Sequence, residues 1–174
     1  DLQVSSADVI HSFWVPRLGG KIDMIPGRHN RIRLQADQPG IYRGQCSEFC
    51  GTQHSHMILH VQSHSEDDFA AWLAARQSPR IAAPSGAAGE TFAARCGLCH
   101  RVAGVSAGQR APDLSDLGSR PTLGSGVLIN EPGAILTWLR EHQRLKPGNG
   151  MPLHDDVDPA HLQDIATWLE GLDP

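Results

Sequence analysis

Polar and apolar positions alternate in short runs over the first 62 residues, and a longer helical period replaces them afterwards. Leu2 and Val4 are two apart, Val9 and Ile10 add an apolar pair, and Arg31-Ile32-Arg33-Leu34 alternates strictly. His56-Met57-Ile58-Leu59-His60-Val61 alternates less cleanly. A period of two sends successive side chains to opposite faces of a sheet, so these runs predict short β-strands. Turn signals at Leu18-Gly19-Gly20, Pro26-Gly27 and Pro39-Gly40 separate them. Ser65-Glu66-Asp67-Asp68 then reads as a capping box, with Ser65 as N-cap and Asp68 in place of the usual Glu. Phe69, Trp72 and Leu73 follow at helical spacing and predict a short amphipathic helix that closes the first unit.

Residues 77–88 are dominated by Pro, Ala, Ser and Gly and read as a linker. The expected division is residues 1–76 as a β domain, 77–88 as linker and 89–174 as a helical domain. Gly89 to Arg95 leads as a helix into Cys96. Ile135, Trp138 and Leu139 mark a second helix, entered at Asn130-Glu131-Pro132. Asp158-Pro159 is an N-cap followed by Pro at the first helical position. Leu162, Ile165, Ala166, Leu169 and Leu172 line one face of the last helix. No internal repeat is visible.

Composition narrows the function classes. A chain of 174 residues, 40% hydrophobic, can bury one medium core or two small ones. Residues 1–78 carry seven Lys/Arg against eight Asp/Glu, and residues 79–174 carry eight against eleven. Neither half holds a basic stripe, which argues against nucleic-acid binding. No apolar run reaches the roughly eighteen residues of a membrane-spanning helix. No signal peptide is visible, and the chain opens on Asp1 and Leu2 in a strand-like pattern.

The four cysteines form two close pairs, Cys46/Cys50 and Cys96/Cys99, each beside histidine. That placement suits ligand or attachment chemistry better than a loop-closing disulfide framework. Cys96-Gly97-Leu98-Cys99-His100 fits C-x-x-C-H, the attachment signature of c-type haem. Two thiols add to the two vinyl groups of one porphyrin, and the adjacent imidazole reaches iron from the proximal side. No second C-x-x-C or H-x-x-H pair lies nearby to complete a zinc site. The distal ligand must come from elsewhere. Met151 is the only methionine after the motif, on the Gly/Pro-rich run Lys146-Pro147-Gly148-Asn149-Gly150-Met151-Pro152, and a thioether is a suitable soft sixth ligand. His154 is the rival.

This second half resembles the class I cytochrome c family from about Gly89 to Leu172. Phe92 before the haem motif, Ala111-Pro112-Asp113-Leu114 after it and Trp168-Leu169 in the last helix carry the resemblance. The resemblance implies an all-α cytochrome c domain in which Pro112 packs on the proximal His100. Arg120 is either a partner of a haem propionate or a solvated arginine.

Gly44-Gln45-Cys46-Ser47-Glu48-Phe49-Cys50-Gly51-Thr52-Gln53-His54-Ser55-His56-Met57 presents Cys, Cys, His and Met at i, i+4, i+8 and i+11. Soft thiolates with imidazole and thioether select copper over a hard cation. Upstream, Asp8-Val9-Ile10-His11-Ser12-Phe13-Trp14-Val15-Pro16 offers another histidine. His56, His60 and His64 suit one strand face and read as non-ligands, as does His29. Met24 is expected in the core, and Trp14 packed near the metal.

These two motifs resemble the dinuclear copper A domain of the cytochrome c oxidase subunit II family, over residues 1 to about 75. The resemblance implies a cupredoxin-like β-sandwich. It implies that Cys46 and Cys50 bridge two coppers, one completed by His11 and Met57, the other by His54 and the Glu48 carbonyl. The Glu48 side chain would help bind magnesium where subunit I docks. Family members have transmembrane helices and further strands before the position of Asp1, so this chain is expected to start partway through the domain. A half sandwich alone would leave open edges.

Together the resemblances imply subunit II of an oxidase that carries its own cytochrome c. Electrons would enter at haem c from a soluble or membrane-bound donor and pass to the dinuclear copper. They would then go to subunit I, where oxygen is reduced. The domains would face the periplasm or the cell exterior, anchored by helices absent from this chain. The alternatives are an electron-transfer subunit or domain of a nitric oxide or nitrous oxide reductase, and a stand-alone metal-binding module. The run Asp8–Pro16 favours the oxidase, and the attached haem argues against mere metal storage.

Overall fold

The computed structural model describes residues 1–77 and 82–173. It divides into two compact units, residues 1–70 and 71–174. Each is described by itself.

The first unit is β structure. Strands β1 (Leu2–Val4) and β4 (Asn30–Ile32) form one antiparallel ladder. Strands β2 (His11–Trp14), β3 (Ile22–Met24), β5 (Gly40–Cys46) and β6 (Ile58–Ser63) form an antiparallel sheet in the order β3-β2-β5-β6. The turn signals at Gly19-Gly20 and Pro26-Gly27 fall between strands, and Pro39-Gly40 leads into β5. Val9 and Ile10, expected in a strand, lie in the bend before β2 and are 48% and 44% exposed. The sequence offers little sign of β5, because Gly44 interrupts its alternation. In the fold Tyr42, Gly44 and Cys46 all face inward. A Cβ at Gly44 would meet the Trp14 carbonyl at 2.7 Å, and the side chains of Leu59 and Val15 at 2.8 Å. Only glycine lets β2, β5 and β6 approach this closely.

Helix α1 (Glu66–Gln77) follows β6. Asp68 N–H donates to the Ser65 hydroxyl at 3.2 Å, and that hydroxyl donates to the Asp68 carboxylate at 2.6 Å, so the expected cap forms. The expected buried face does not: no residue of α1 is buried, and Phe69 and Leu73 are 49% and 39% exposed. Of residues 77–88, Gln77 ends α1, residues 86–88 open α2, and residues 78–81 lie outside the described set.

The second unit is built on α2 (Gly86–Thr91), α3 (Ala134–Leu145) and α4 (Pro159–Glu170). Two two-residue ladders supplement them: β7 (Arg101–Val102) with β8 (Ser106–Ala107), and β9 (Thr122–Leu123) with β10 (Leu128–Ile129). Asp158 caps α4 by accepting from Ala160 N–H at 2.8 Å, with Pro159 in the first turn as the sequence predicts. Helix α3 starts after Gly133, slightly later than expected. Phe92, Val102, Ile135, Leu139, Ile165 and Leu169 form the centre of the core. Phe92 meets Trp168 edge to face, with ring centroids 4.8 Å apart, and the Trp168 indole N–H donates to the Ala82 carbonyl at 2.8 Å.

Candidate functional site

In the first unit, strand register assembles the donors. Phe13 on β2 lies opposite Cys46 on β5, and Ser47 N–H continues the ladder by donating to the Ser12 carbonyl at 3.0 Å. The side-chain period of two then puts His11, Phe13 and Cys46 on one face. His11 Nδ1 reaches to 3.9 Å from Cys46 Sγ across 35 residues of sequence. The loop after β5 supplies the remaining donors. Its ends are tied by Cys46 N–H donating to the Met57 carbonyl at 2.9 Å. Within it, Gly51 at φ +105° allows the turn that precedes a short 3-10 segment, His54–His56.

Cys46 Sγ lies 3.8 Å from Cys50 Sγ, and Cys50 Sγ lies 3.5 Å from His54 Nδ1 and 3.9 Å from Met57 Sδ. The Cys46 thiol donates to the Glu48 carbonyl at 3.2 Å. Both cysteines are free, so no local disulfide forms. All six residues expected from the sequence therefore gather around the sulfur pair. Among the described residues, one group of three or more His, Cys, Asp or Glu could hold a metal: His11, Cys46 and Cys50, with donor atoms within 4.8 Å of one another. The donor set fits copper. Two sulfurs 3.8 Å apart can share an ion, since metal–thiolate bonds of about 2.3 Å span up to about 4.6 Å. Thiolate, imidazole and thioether together are soft.

Electrostatics prepares the donors. Burial pushes the Cys46 thiol up, but hydrogen bonding with the Ser12 and Glu48 backbone and with the His11 and Cys50 side chains outweighs it and brings it down to about 7. Burial and the neighbouring Cys46 push Cys50 up. His11 Nε2 donates to the Asp8 carboxylate at 2.8 Å. That bond raises His11 and lowers Asp8 to about 2. It also turns Nδ1 toward the sulfurs. Nothing in the sequence marks Asp8 as functional except its place three residues before a candidate ligand histidine.

The histidines expected not to ligate lie elsewhere on the unit. His56 sits in the 3-10 turn and His64 beyond β6, so the expected common strand face of His56, His60 and His64 does not exist. His29 is exposed. Met24, expected in the core, is only half-buried and pairs opposite His11. Trp14 is half-buried beside Gln45 in register.

In the second unit, α2 runs into a π-helical turn, Phe92–Cys96, that delivers the C-x-x-C-H motif. Cys99 N–H and His100 N–H donate to the Cys96 carbonyl at 3.0 and 2.9 Å. Arg110 and Ala111 N–H donate to the Cys99 carbonyl at 3.1 and 3.0 Å. Gly108 lies so close that a Cβ there would sit 2.5–2.7 Å from the backbone of Cys99 and His100. His100 Nδ1 donates to the Pro112 carbonyl at 2.8 Å. A carbonyl can only accept, so the ring proton is on Nδ1, and the Nε2 lone pair is left for a metal. Cys96 and Cys99 are free, and burial pushes the Cys96 thiol up to about 11. Two available thiols and a correctly protonated imidazole fit a covalently attached haem.

Met151, on the loop between α3 and α4, packs with Cys96 against the same buried cluster. His154, its rival, is half-buried with Nε2 lacking a partner, and burial lowers its basicity. Arg120 donates to the Asp116 carboxylate and the Asp113 carbonyl, with its side chain 32% exposed.

Residues 1–64 match the family described as cytochrome C oxidase subunit II, periplasmic domain, and residues 86–173 match cytochrome c. Cytochrome c oxidase subunit 2 of Alkalihalophilus pseudofirmus is 34% identical over 179 residues, covering 98% of this chain and 50% of that protein. The same-named protein of Bacillus sp. (strain PS3) is 35% identical over 160 residues, covering 84% and 45%. That of Schizosaccharomyces pombe is 54% identical over 72 residues, covering 41% and 29%. The chain thus spans about half the length of the relatives that it matches along most of its own.

Proposed function

This chain belongs to the cytochrome c oxidase subunit II family, with a cytochrome c domain joined to the periplasmic copper domain, and from that premise we propose that it relays electrons in oxygen respiration. Its cytochrome unit takes them from a soluble or membrane-bound donor. Its β unit hands them to subunit I of the oxidase, where oxygen is reduced. Bound haem c and dinuclear copper supply one-electron carriers. The domains lie on the periplasmic side of the membrane, and helices outside this chain anchor them. No helix among the described residues is long and apolar enough to cross a membrane.

Each side chain has a role. Cys46 and Cys50 would hold two coppers through shared thiolates, with His11 and Met57 as the further ligands of one and His54 with the Glu48 carbonyl as those of the other. The exposed Glu48 carboxylate is available to magnesium at the docking face of subunit I. Cys96 and Cys99 would attach the haem, and His100 and Met151 would ligate its iron. The observation that carries the proposal is the sulfur pair, 3.8 Å apart, ringed by His11, His54, Met57 and the Glu48 carbonyl.

The test is metal content and spectroscopy of the full chain. Two coppers per chain with one mixed-valence paramagnetic signal shared over both support it, as does haem bound to the peptide holding Cys96 and Cys99. Cys46→Ser should abolish the shared signal, and His60→Ala should leave it. Met151→Ala should remove the weak sulfur-to-iron band and lower the potential. A single localised copper would contradict the dinuclear assignment.

A further inference from the structure

Met151 sits on a loop that α3 holds by side chains. Asn149 Nδ2 donates to the His142 and Lys146 carbonyls at 3.0 and 2.8 Å. Asn149 Oδ1 accepts from Met151 N–H at 3.0 Å and from His142 Nδ1 at 3.2 Å. Backbone groups have fixed donor and acceptor roles, so these contacts leave one orientation for the amide. That orientation in turn places the His142 ring proton on Nδ1, and His142 is only 1% exposed.

Gln143, the next residue on α3, donates Nε2 to the Asn149 and Met151 carbonyls, both at 2.9 Å. Two acceptors on one nitrogen fix this amide as well. Both backbone polar groups of Met151 are thus satisfied by side chains. The loop has little stiffness of its own, with Gly148 at φ +81° and Gly150 beside Met151.

We propose that Asn149 and Gln143 are positioning residues that clamp the Met151 loop to α3 and so keep its thioether at the haem iron against competing nitrogen ligands. The proposal rests on the reading of Met151 as distal ligand. A thioether held in place beforehand loses less entropy on binding than one on a slack loop. Without the clamp, a free imidazole should displace the sulfur more readily.

The test uses the full chain with haem attached and imidazole as the probe, titrated into ferric protein while the sulfur-to-iron band is followed. Gln143→Met keeps the side-chain length and removes both donations. Two lost hydrogen bonds should tighten apparent imidazole binding about tenfold to a hundredfold, with a lowered potential and unchanged helicity. Asn149→Ser should act in the same direction. Arg144→Ala, whose side chain is 73% exposed and pairs with Glu141, should leave both readouts unchanged. Unchanged imidazole affinity and potential in Gln143→Met and Asn149→Ser would overturn the proposal. Amide exchange of Met151 in the wild-type chain judges it without any variant: protection supports the clamp, and exchange at the free-peptide rate overturns it. Absence of the sulfur-to-iron band from the wild type removes ligation by Met151 alone, and the amide exchange still decides whether the clamp exists.

Discussion

Asp8 and His11 are joined by a hydrogen bond of 2.8 Å that aims the other ring nitrogen of His11 at Cys46. A carboxylate behind a metal-binding imidazole fixes its tautomer and strengthens it as a donor, and removing such a partner costs about 10–100-fold in affinity. Asp8→Asn should therefore weaken copper binding by about that factor without unfolding the sheet, as measured by competition titration against a chelator. In the metal-free chain the pair also has a pH signature. Asp8 is lowered from 3.8 to about 2, so its contribution is full above 3.8 and is lost as pH falls through about 2. His11 is raised above 6.5, so its contribution is full below 6.5 and is lost as pH rises through the higher folded value.

Cys46 should be the first thiol of the β unit to ionise. Its thiol is lowered from 9.0 to about 7, so the contribution of its thiolate is full above 9.0 and is lost as pH falls through about 7. Cys50 is raised and titrates later. Alkylation of Cys46 in the metal-free chain should accelerate with a midpoint near pH 7, read by peptide mass spectrometry. Copper loading should weaken as pH falls below that midpoint, because thiolates must be deprotonated to bind. A Cys46 midpoint near 9 would contradict the hydrogen-bond network around it.

Gly44→Ala should destabilise the β unit. The added methyl would overlap the Trp14 carbonyl at 2.7 Å and the Leu59 and Val15 side chains at 2.8 Å. One contact is backbone and cannot rotate away. A cost of about 1–3 kcal/mol is expected from such overpacking, seen as an earlier urea midpoint for the β signal. The haem spectrum should not change.

The site was legible in the sequence where chemistry is carried by close spacing. Cys46, Cys50, His54 and Met57 lie close together in sequence, from the end of β5 through the loop after it, and C-x-x-C-H within one turn, so their residue types alone announce them. The α4 cap at Asp158-Pro159 and its buried stripe were legible for the same reason. What depends on distant partners was not. Strand β5 was hidden because Gly44 is explained only by β2 and β6 pressing against it. Val9 and Ile10 read as strand, yet their apolarity does not place them in the sheet. The apolar side of α1 predicted burial that the fold does not provide. Asn149 looked like loop filler, because its role depends on the carbonyls of α3.

As an electron relay, one polypeptide would carry electrons between its own two centres. The most direct measurement is rapid photochemical reduction of the haem in the fully copper-loaded chain, followed at both metals over a dilution series. Two units on one chain meet at an effective concentration on the order of millimolar, so transfer should be intramolecular. The residue counts leave residues 1–78 at −1 and residues 79–174 at −3, so the rate should depend only mildly on ionic strength. Haem reoxidation should match copper reduction in time course and be unchanged by dilution. A haem that reoxidises only in proportion to protein concentration, or that never passes its electron to copper, would contradict the relay.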